Sequence, residues 1–329
     1  MNHQGFVDLQ VNGSLGVDFS DPSTTVDQVL DVSERLVQTG TIGFLATVLT
    51  NPREVMEECT RTITEAIRKQ GRRGPILGIH LEGPFISASY GYRGIHDAGN
   101  VCLPDIAWFE KLRKLAEGHI RLVTMAPELE HSADFIRAVS PVVVVSAGHT
   151  DCSFADAKAA VNAGLRMATH IGNGCRQQID RHDNPIVNLL ACDEIALSFI
   201  PDGFHLPEGF IRMVLKSRSI DKLIVVSDAV QFAGLVPGTY KTWTGLEVSM
   251  SVDGRLSLLS DPNVLAGSSA TMLKCMNHLA SFGVLTEEEL WQVGLVNPLR
   301  MLGLRTDEIG DSEARVQFDE RSQNFQLVE

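Results

Sequence analysis

Five polar residues, Glu82, His149, His170, His205 and Asp228, each close a short apolar run. The runs are ILGIHLEGPF (76–85), VVVVSAGHT (142–150), MATHIGNG (167–174), ALSFIPDGFH (196–205) and LIVVSDA (223–229). Two imidazoles and one carboxylate with an open fourth position make a catalytic zinc site, and Glu82, His149 and His170 supply that set. Taken singly, each histidine reads first as a satisfied structural or capping residue. A carboxylate beside an ion-activated water is a natural general base, a role open to Asp228. Its plain alternative is a helix N-cap, for which Asp is a favoured residue. His205 is open to three readings: loop residue, metal ligand or substrate donor. Arg181, in the polar stretch CRQQIDRHDN, is either a solvated charge or a bidentate anion contact. HIGNG and LAGSS lack phosphate-loop spacing and read as turns, although turn N–H groups can hold a sugar or phosphate oxygen.

What gathers the five is the pattern of elements. Continuous Val, Ile, Leu and Ala runs are those of strands buried on both faces. Eight such runs are present, the first at GFVDLQVNG (5–13), then IGFLATVLT (42–50), ILGIHLEGPF and IRLVTMAPE (120–128). Helical patterns lie between them. One begins at Asn51 as N-cap, with Pro52 at the first helical position and Glu54 completing a capping box. Val55, Cys59, Ile63 and Ile67 form its apolar stripe, and Gly71 ends it. A second starts at Ser153 and stops at Gly164; others occupy 271–282 and 286–303. Strand–helix alternation over this length predicts an α/β fold, a (β/α)8 TIM barrel of the metal-dependent hydrolase type. Acids and imidazoles at successive strand ends then share the rim where such barrels do chemistry. That convergence favours metal binding for the trio.

The 329 residues, 44% of them hydrophobic, suit one barrel domain spanning 1–329, with a β excursion at 236–260 turning at Asp253-Gly254 and a short extended tail over 304–329. Six cysteines without CxxC pairs predict reduced, mostly buried thiols and a cytoplasmic protein. The N-terminal segment lacks the charged and apolar regions of a secretory leader. No apolar run approaches the roughly 20 residues of a membrane span. A net charge of −13 argues against nucleic-acid and anionic-membrane partners. Trp108, Trp243 and Trp291 read as packing residues.

GFVDLQVNG, HLEGPF, RGIH, VTMAPE, VSAGHT, ATHIGNG, PDGFH, VSDA and LAGSSATM occur in this order. Together they resemble the N-acetylglucosamine-6-phosphate deacetylase family of the amidohydrolase superfamily, over roughly residues 5–303. The resemblance implies a metal-dependent barrel hydrolase, dimeric, with ligands Glu82, His149 and His170 and acid/base Asp228. It implies sugar-phosphate contacts at Ile95, His96, Asn173, Gly174, Arg181 and His205, and closure by backbone near Leu265, Ala266 and Gly267. In the family, the arginine matching Arg181 reaches in from the neighbouring subunit.

The chain also departs from the family. Gln10-Val11-Asn12 stands where many superfamily members carry a His-x-His metal pair, so one divalent ion per chain is expected, Zn2+ first, with Fe2+, Co2+ or Mn2+ as alternatives. The first barrel strand begins near residue 5 and the tail is short, so the family's accessory β-sandwich is expected to be lost or reduced. GNGC, RQQIDRHDN and DAVQFAG differ from the family's usual surroundings of the same catalytic letters. The expected activity is removal of the acetyl group from an N-acetylated amino-sugar phosphate. The alternatives are an amidohydrolase with another amide or a deaminase substrate, and a non-catalytic sugar-phosphate sensor.

Overall fold

A computed structural model describes residues 5–310 and 315–328. Residues 1–4, where a leader was sought, and 311–314 and 329 of the expected tail lie outside the described residues. Eight parallel strands form one sheet: β1 (Phe6–Val11), β2 (Thr41–Leu49), β3 (Ile76–Glu82), β4 (Ile120–Met125), β5 (Val144–Ala147), β6 (Met167–Ala168), β7 (Ala196–Phe199) and β8 (Leu223–Val225). They pair in sequence order, and a parallel bridge between Val11 and Ala229 joins the last strand's end to the first. The sheet is a nearly closed barrel with helices between its strands, as the sequence predicts. β1 is buried at every position and β2 at all but its last, the pattern of strands covered on both faces.

The helices follow from their caps and stripes. α1 (Val26–Gln38) opens with a capping box between Thr25 and Gln28. α2 (Arg53–Gln70) buries Met56, Cys59, Ile63 and Ile67 and ends at Gly71, as expected, with Met56 in place of Val55 as the first deeply buried position. Its expected cap is corrected: Pro52 is the N-cap, and the Asn51 amide turns back to donate to the Leu49 carbonyl at 3.3 Å. α3 (Ile106–Leu115) and α4 (Ser132–Val139) follow. α5 (Phe154–Ala163) has the predicted Ser153 cap, with Asp156 returning the bond, and Gly164 closes it at φ +126°. α6 (Pro185–Leu190), α7 (Glu208–Ser217) and α8 (Met272–Ala280) follow, and the helical pattern expected over 286–303 forms α9 (Glu287–Trp291) and α10 (Asn297–Met301), joined by a π-helical turn at Gln292–Val296.

Outside the barrel, β9 (Gly238–Lys241), β10 (Glu247–Met250) and β11 (Leu256–Leu258) form an antiparallel sheet, turning at Asp253-Gly254 as predicted. Its own small core contains Val230, Phe232, Val248, Met250, Leu256 and Ala266. β12 (Arg315–Asp319) and β13 (Asn324–Val328) form a hairpin whose Phe325 packs edge-on against Phe6 and Trp291. The six cysteines are free; Cys59, Cys152, Cys192 and Cys275 are buried, Cys102 and Cys175 half-buried. Trp108 and Trp291 are packing residues; Trp243 is exposed.

Inside the barrel, below the rim, a polar ladder replaces hydrocarbon. Nε2 of His80 lies 2.8 Å from Thr124 Oγ1, which lies 2.7 Å from Thr169 Oγ1, itself 2.6 Å from Ser146 Oγ. Burial pushes the His80 imidazole down to about 4, so it is a neutral hydrogen-bonding member of this layer. Buried hydroxyls in a chain of partners keep side chains in fixed positions directly under the site.

Candidate metal centre and active site

Glu82 is the last residue of β3, and His149 and His170 lie just beyond β5 and β6. Strand direction alone brings all three to one rim. Oε1 of Glu82 is 3.0 Å from His149 Nε2 and 2.9 Å from His170 Nε2, and the two imidazole nitrogens are 3.1 Å apart. Among the described residues, this buried trio is the group of His, Cys, Asp and Glu able to hold a metal ion.

The backbone at these positions is unusual. His149, His170 and Asp228 have φ of +51°, +32° and +52°, a region non-glycine residues rarely adopt. Such strain persists only where surroundings impose it, and it concentrates at working sites. Two glycines make room for the His149 ring. A Cβ on Gly174 would lie 2.8 Å from His149 Nδ1, and one on Gly94 would lie 3.2 Å from its Cε1; both have positive φ. GNG is therefore more than a turn: its second glycine is the only residue type that fits against the ring.

The donor set fits a cation. His149 Nδ1 lies 2.9 Å from the Tyr92 carbonyl, an oxygen that can only accept, so the proton sits on Nδ1 and the Nε2 lone pair faces inward. That lone pair meets a carboxylate oxygen and a second imidazole nitrogen, an arrangement that needs a proton or a metal ion between the acceptors. Burial pushes Glu82 up, but the neighbouring His149 and His170 outweigh this and hold it well below the usual carboxylate range. Burial likewise pushes His170 down, but the hydrogen bond and charge of Glu82 outweigh it, and its pKa is raised. A cation is what this pocket favours. A tetrahedral ion with bonds of about 2.0–2.2 Å separates its ligands by slightly more than the distances seen here.

Asp228 lies past β8 and lines the same cavity, with Asn12 Nδ2 donating to its Oδ1 at 2.7 Å. Burial and the nearby Glu82 charge push it up to about 6. Asp228 is not a helix N-cap. His205 is held differently: its Nδ1 is 2.8 Å from Asp202 Oδ2, which also accepts from Ser268 Oγ at 3.1 Å. Burial raises Asp202, but His205 outweighs it and brings the carboxyl to about 2. Asp202 is thus a firm anion that orients the His205 ring.

The cavity holds about 750 Å³. Ile95, His96, Asn173, Gly174, His205, Leu265 and Gly267 line it with Glu82, His149, His170 and Asp228. Two expected residues are not part of the lining. The Ala266 side chain points into the small β-sheet core while its neighbours Leu265 and Gly267 face the cavity, and Arg181 is exposed and does not line its own chain's cavity. Four residues were not foreseen in their roles: Gln10, whose Nε2 donates to Glu82 Oε1 at 2.9 Å, Asn12, Tyr92 and Asp202. Gln10 in β1 and Asn12 just past its end stand two residues apart on extended chain and so face the same way. That spacing was visible; their partners, 72 and 216 residues away, were not.

An eight-stranded parallel barrel with a buried Glu/His/His trio and an adjacent carboxylate on its active rim defines a metal-dependent hydrolase of the amidohydrolase type. No family model matches the chain. Bovine N-acetylglucosamine-6-phosphate deacetylase is 32% identical over 311 residues, covering 91% of this chain and 74% of its own length. The Bacillus subtilis enzyme of the same name is 30% identical over 304 residues, covering 91% and 75%. Among solved structures, N-acetyl-D-glucosamine-6-phosphate deacetylase from Mycobacterium smegmatis superposes with a TM-score of 0.86 at 26% identity, covering 99% of this chain and 85% of that one. A mutant of that protein, in complex with N-acetyl-D-glucosamine-6-phosphate, superposes with a TM-score of 0.87 at 25% identity, covering 99% and 84%. The chain belongs to the N-acetylglucosamine-6-phosphate deacetylase family.

Proposed function

We propose that this chain, residues 1–329 acting as one catalytic unit, hydrolyses N-acetylglucosamine-6-phosphate to glucosamine-6-phosphate and acetate. The observation that carries the reading is the meeting of Glu82, His149 and His170 beside Asp228 in one cavity, in a chain of this family.

Glu82, His149 and His170 would hold one divalent ion, Zn2+ before Fe2+, Co2+ or Mn2+, because two imidazoles and a carboxylate suit a borderline ion. When bound, that ion supplies Lewis-acid polarisation of the acetyl carbonyl and acidification of water. Asp228, whose burial makes it a stronger base than an exposed carboxylate, takes the proton of the attacking water. The C–N bond then breaks, and Asp228 returns the proton to the leaving sugar nitrogen. Gln10 fixes the Glu82 carboxylate and Asn12 fixes that of Asp228, so neither rotates away during turnover. His205, oriented by Asp202, positions the sugar, with Ile95, His96, Asn173, Gly174, Leu265 and Gly267 around it.

Arg181 lies outside its own cavity, so a phosphate contact from it requires a second copy of the chain, and we place it in a homodimer interface. Among the described residues no helix is long and apolar enough to cross a membrane. The six cysteines are free, as a reducing compartment keeps them, and on that ground we assign the enzyme to the cytoplasm. The test is a panel of acetylated sugars with and without a 6-phosphate, with free amine and acetate both measured. Equal release of the two products, fastest from N-acetylglucosamine-6-phosphate, is expected. No release from any member, or ammonia in place of acetate from an amine substrate, would contradict the reading.

A further inference from the structure

Only two side chains with a permanent positive charge line the cavity among the described residues, Arg176 and Arg255. They share it with the carboxylates of Glu82, Asp228 and Asp261, in a chain of net charge −13. A dianionic substrate entering such a cavity needs a local cation, since the surrounding field opposes it.

Arg176 is built for that task. Its Nε donates to the Tyr90 carbonyl at 3.3 Å, and its guanidinium lies 5.1 Å over the Tyr92 ring. A Cβ on the intervening Gly91 would come 2.7 Å from Arg176 Cγ, so the loop passes close only because residue 91 is glycine, at φ +89°. An aromatic face and a backbone carbonyl thus orient the side chain while leaving its charge uncompensated. Among the described residues, no carboxylate forms an ion pair with it. Arg255 differs: it sits on the small β-sheet and gives a terminal nitrogen to the Pro262 carbonyl at 2.7 Å.

We propose that Arg176 recognises the anionic group of the substrate within its own subunit, its two terminal nitrogens donating to phosphate oxygens. A flat guanidinium stacked on an aromatic ring is pre-organised for a forked contact of this kind. The loop that carries Arg176 also brings Asn173 and Gly174 to the cavity wall, so one segment would hold both the metal ligand His149 and the phosphate in place. The identity of the ligand as a sugar phosphate rests on the deacetylase reading; the anion site itself does not.

The experiment compares metal-loaded wild type with Arg176→Gln, Arg176→Lys, Arg181→Gln and Arg255→Gln. KM is measured for N-acetylglucosamine with and without the 6-phosphate, and inorganic phosphate is titrated calorimetrically. Arg176→Gln is expected to raise KM for the phosphorylated sugar roughly tenfold to a hundredfold, the scale of a charge-assisted contact, and far more than for the unphosphorylated one. It should weaken phosphate binding in parallel, with Arg176→Lys recovering part of both. Equal changes for the two sugars would overturn the proposal, as would an effect found only in Arg181→Gln or Arg255→Gln. If wild type deacetylates neither sugar, the deacetylase reading fails by itself. The phosphate titration then still decides: loss in Arg176→Gln supports the anion site, and titration like wild type refutes it.

Discussion

Replacing Asp228 by Asn separates shape from proton transfer. The Asn12 amide donates to Asp228 Oδ1 at 2.7 Å, and an asparagine oxygen at 228 would accept the same bond. Asp228 is outside the Glu82, His149 and His170 group, so the metal site keeps its ligands. What disappears is the base. A positioned general base contributes roughly 10²–10⁴ in rate. At about 1.4 kcal/mol per decade this is about 3–5 kcal/mol of barrier. Turnover of N-acetylglucosamine-6-phosphate should therefore fall at least about a hundredfold, with metal content and substrate KM little changed. Stability supplies a second readout. In the metal-free protein burial raises Asp228 to about 6, above its unfolded value, so its contribution to stability is present at low pH and is lost as pH rises through about 6. Metal-free Asp228→Asn should lack that loss and melt above wild type at pH 7.5. Steady-state kinetics, elemental analysis and thermal melts against pH check both halves. Turnover within a few-fold of wild type, with metal in place, would remove Asp228 from the mechanism.

Three further outcomes are expected. Elemental analysis should find about one divalent ion per chain, and a chelator should lower the melting temperature; two tightly held ions, or ligation through Gln10 and Asn12, would contradict the single site. Gly174→Ala places a Cβ 2.8 Å from His149 Nδ1 at a φ of +58°, so metal affinity should drop about tenfold or more, and an unchanged metal dissociation constant would show that the loop yields. Arg181→Ala should raise KM chiefly for the phosphorylated substrate, by about tenfold to a hundredfold, in a protein that sediments as a dimer; full activity from a monomer would remove Arg181 from the site.

The barrel and its rim were legible in the sequence because buried parallel strands spell themselves as apolar runs, and because function sits at one end of each. Glu82, His149, His170 and Asp228 needed only strand direction to be found. The Asn51 cap failed because a local propensity lost to a competing bond with the Leu49 carbonyl. The supports of the site were hidden for another reason. Asn12 reaches Asp228, and the Tyr92 carbonyl reaches His149, across separations that no local pattern encodes. Tyr92 acts through its backbone, which leaves no trace in side-chain type. Arg176 and Arg181 stand in the same polar stretch, and nothing in their spacing distinguishes the one that lines the cavity from the one that does not.

In the proposed function, one ion at the Glu82, His149 and His170 group makes this chain an amide hydrolase for N-acetylglucosamine-6-phosphate. Its most direct test strips the protein of metal and titrates Zn2+ back while acetate release from that substrate is followed. No turnover without metal is expected, followed by a linear rise that breaks at one equivalent per chain. Undiminished acetate release from rigorously metal-free protein, a break at two equivalents, or no acetate at any metal loading would contradict it.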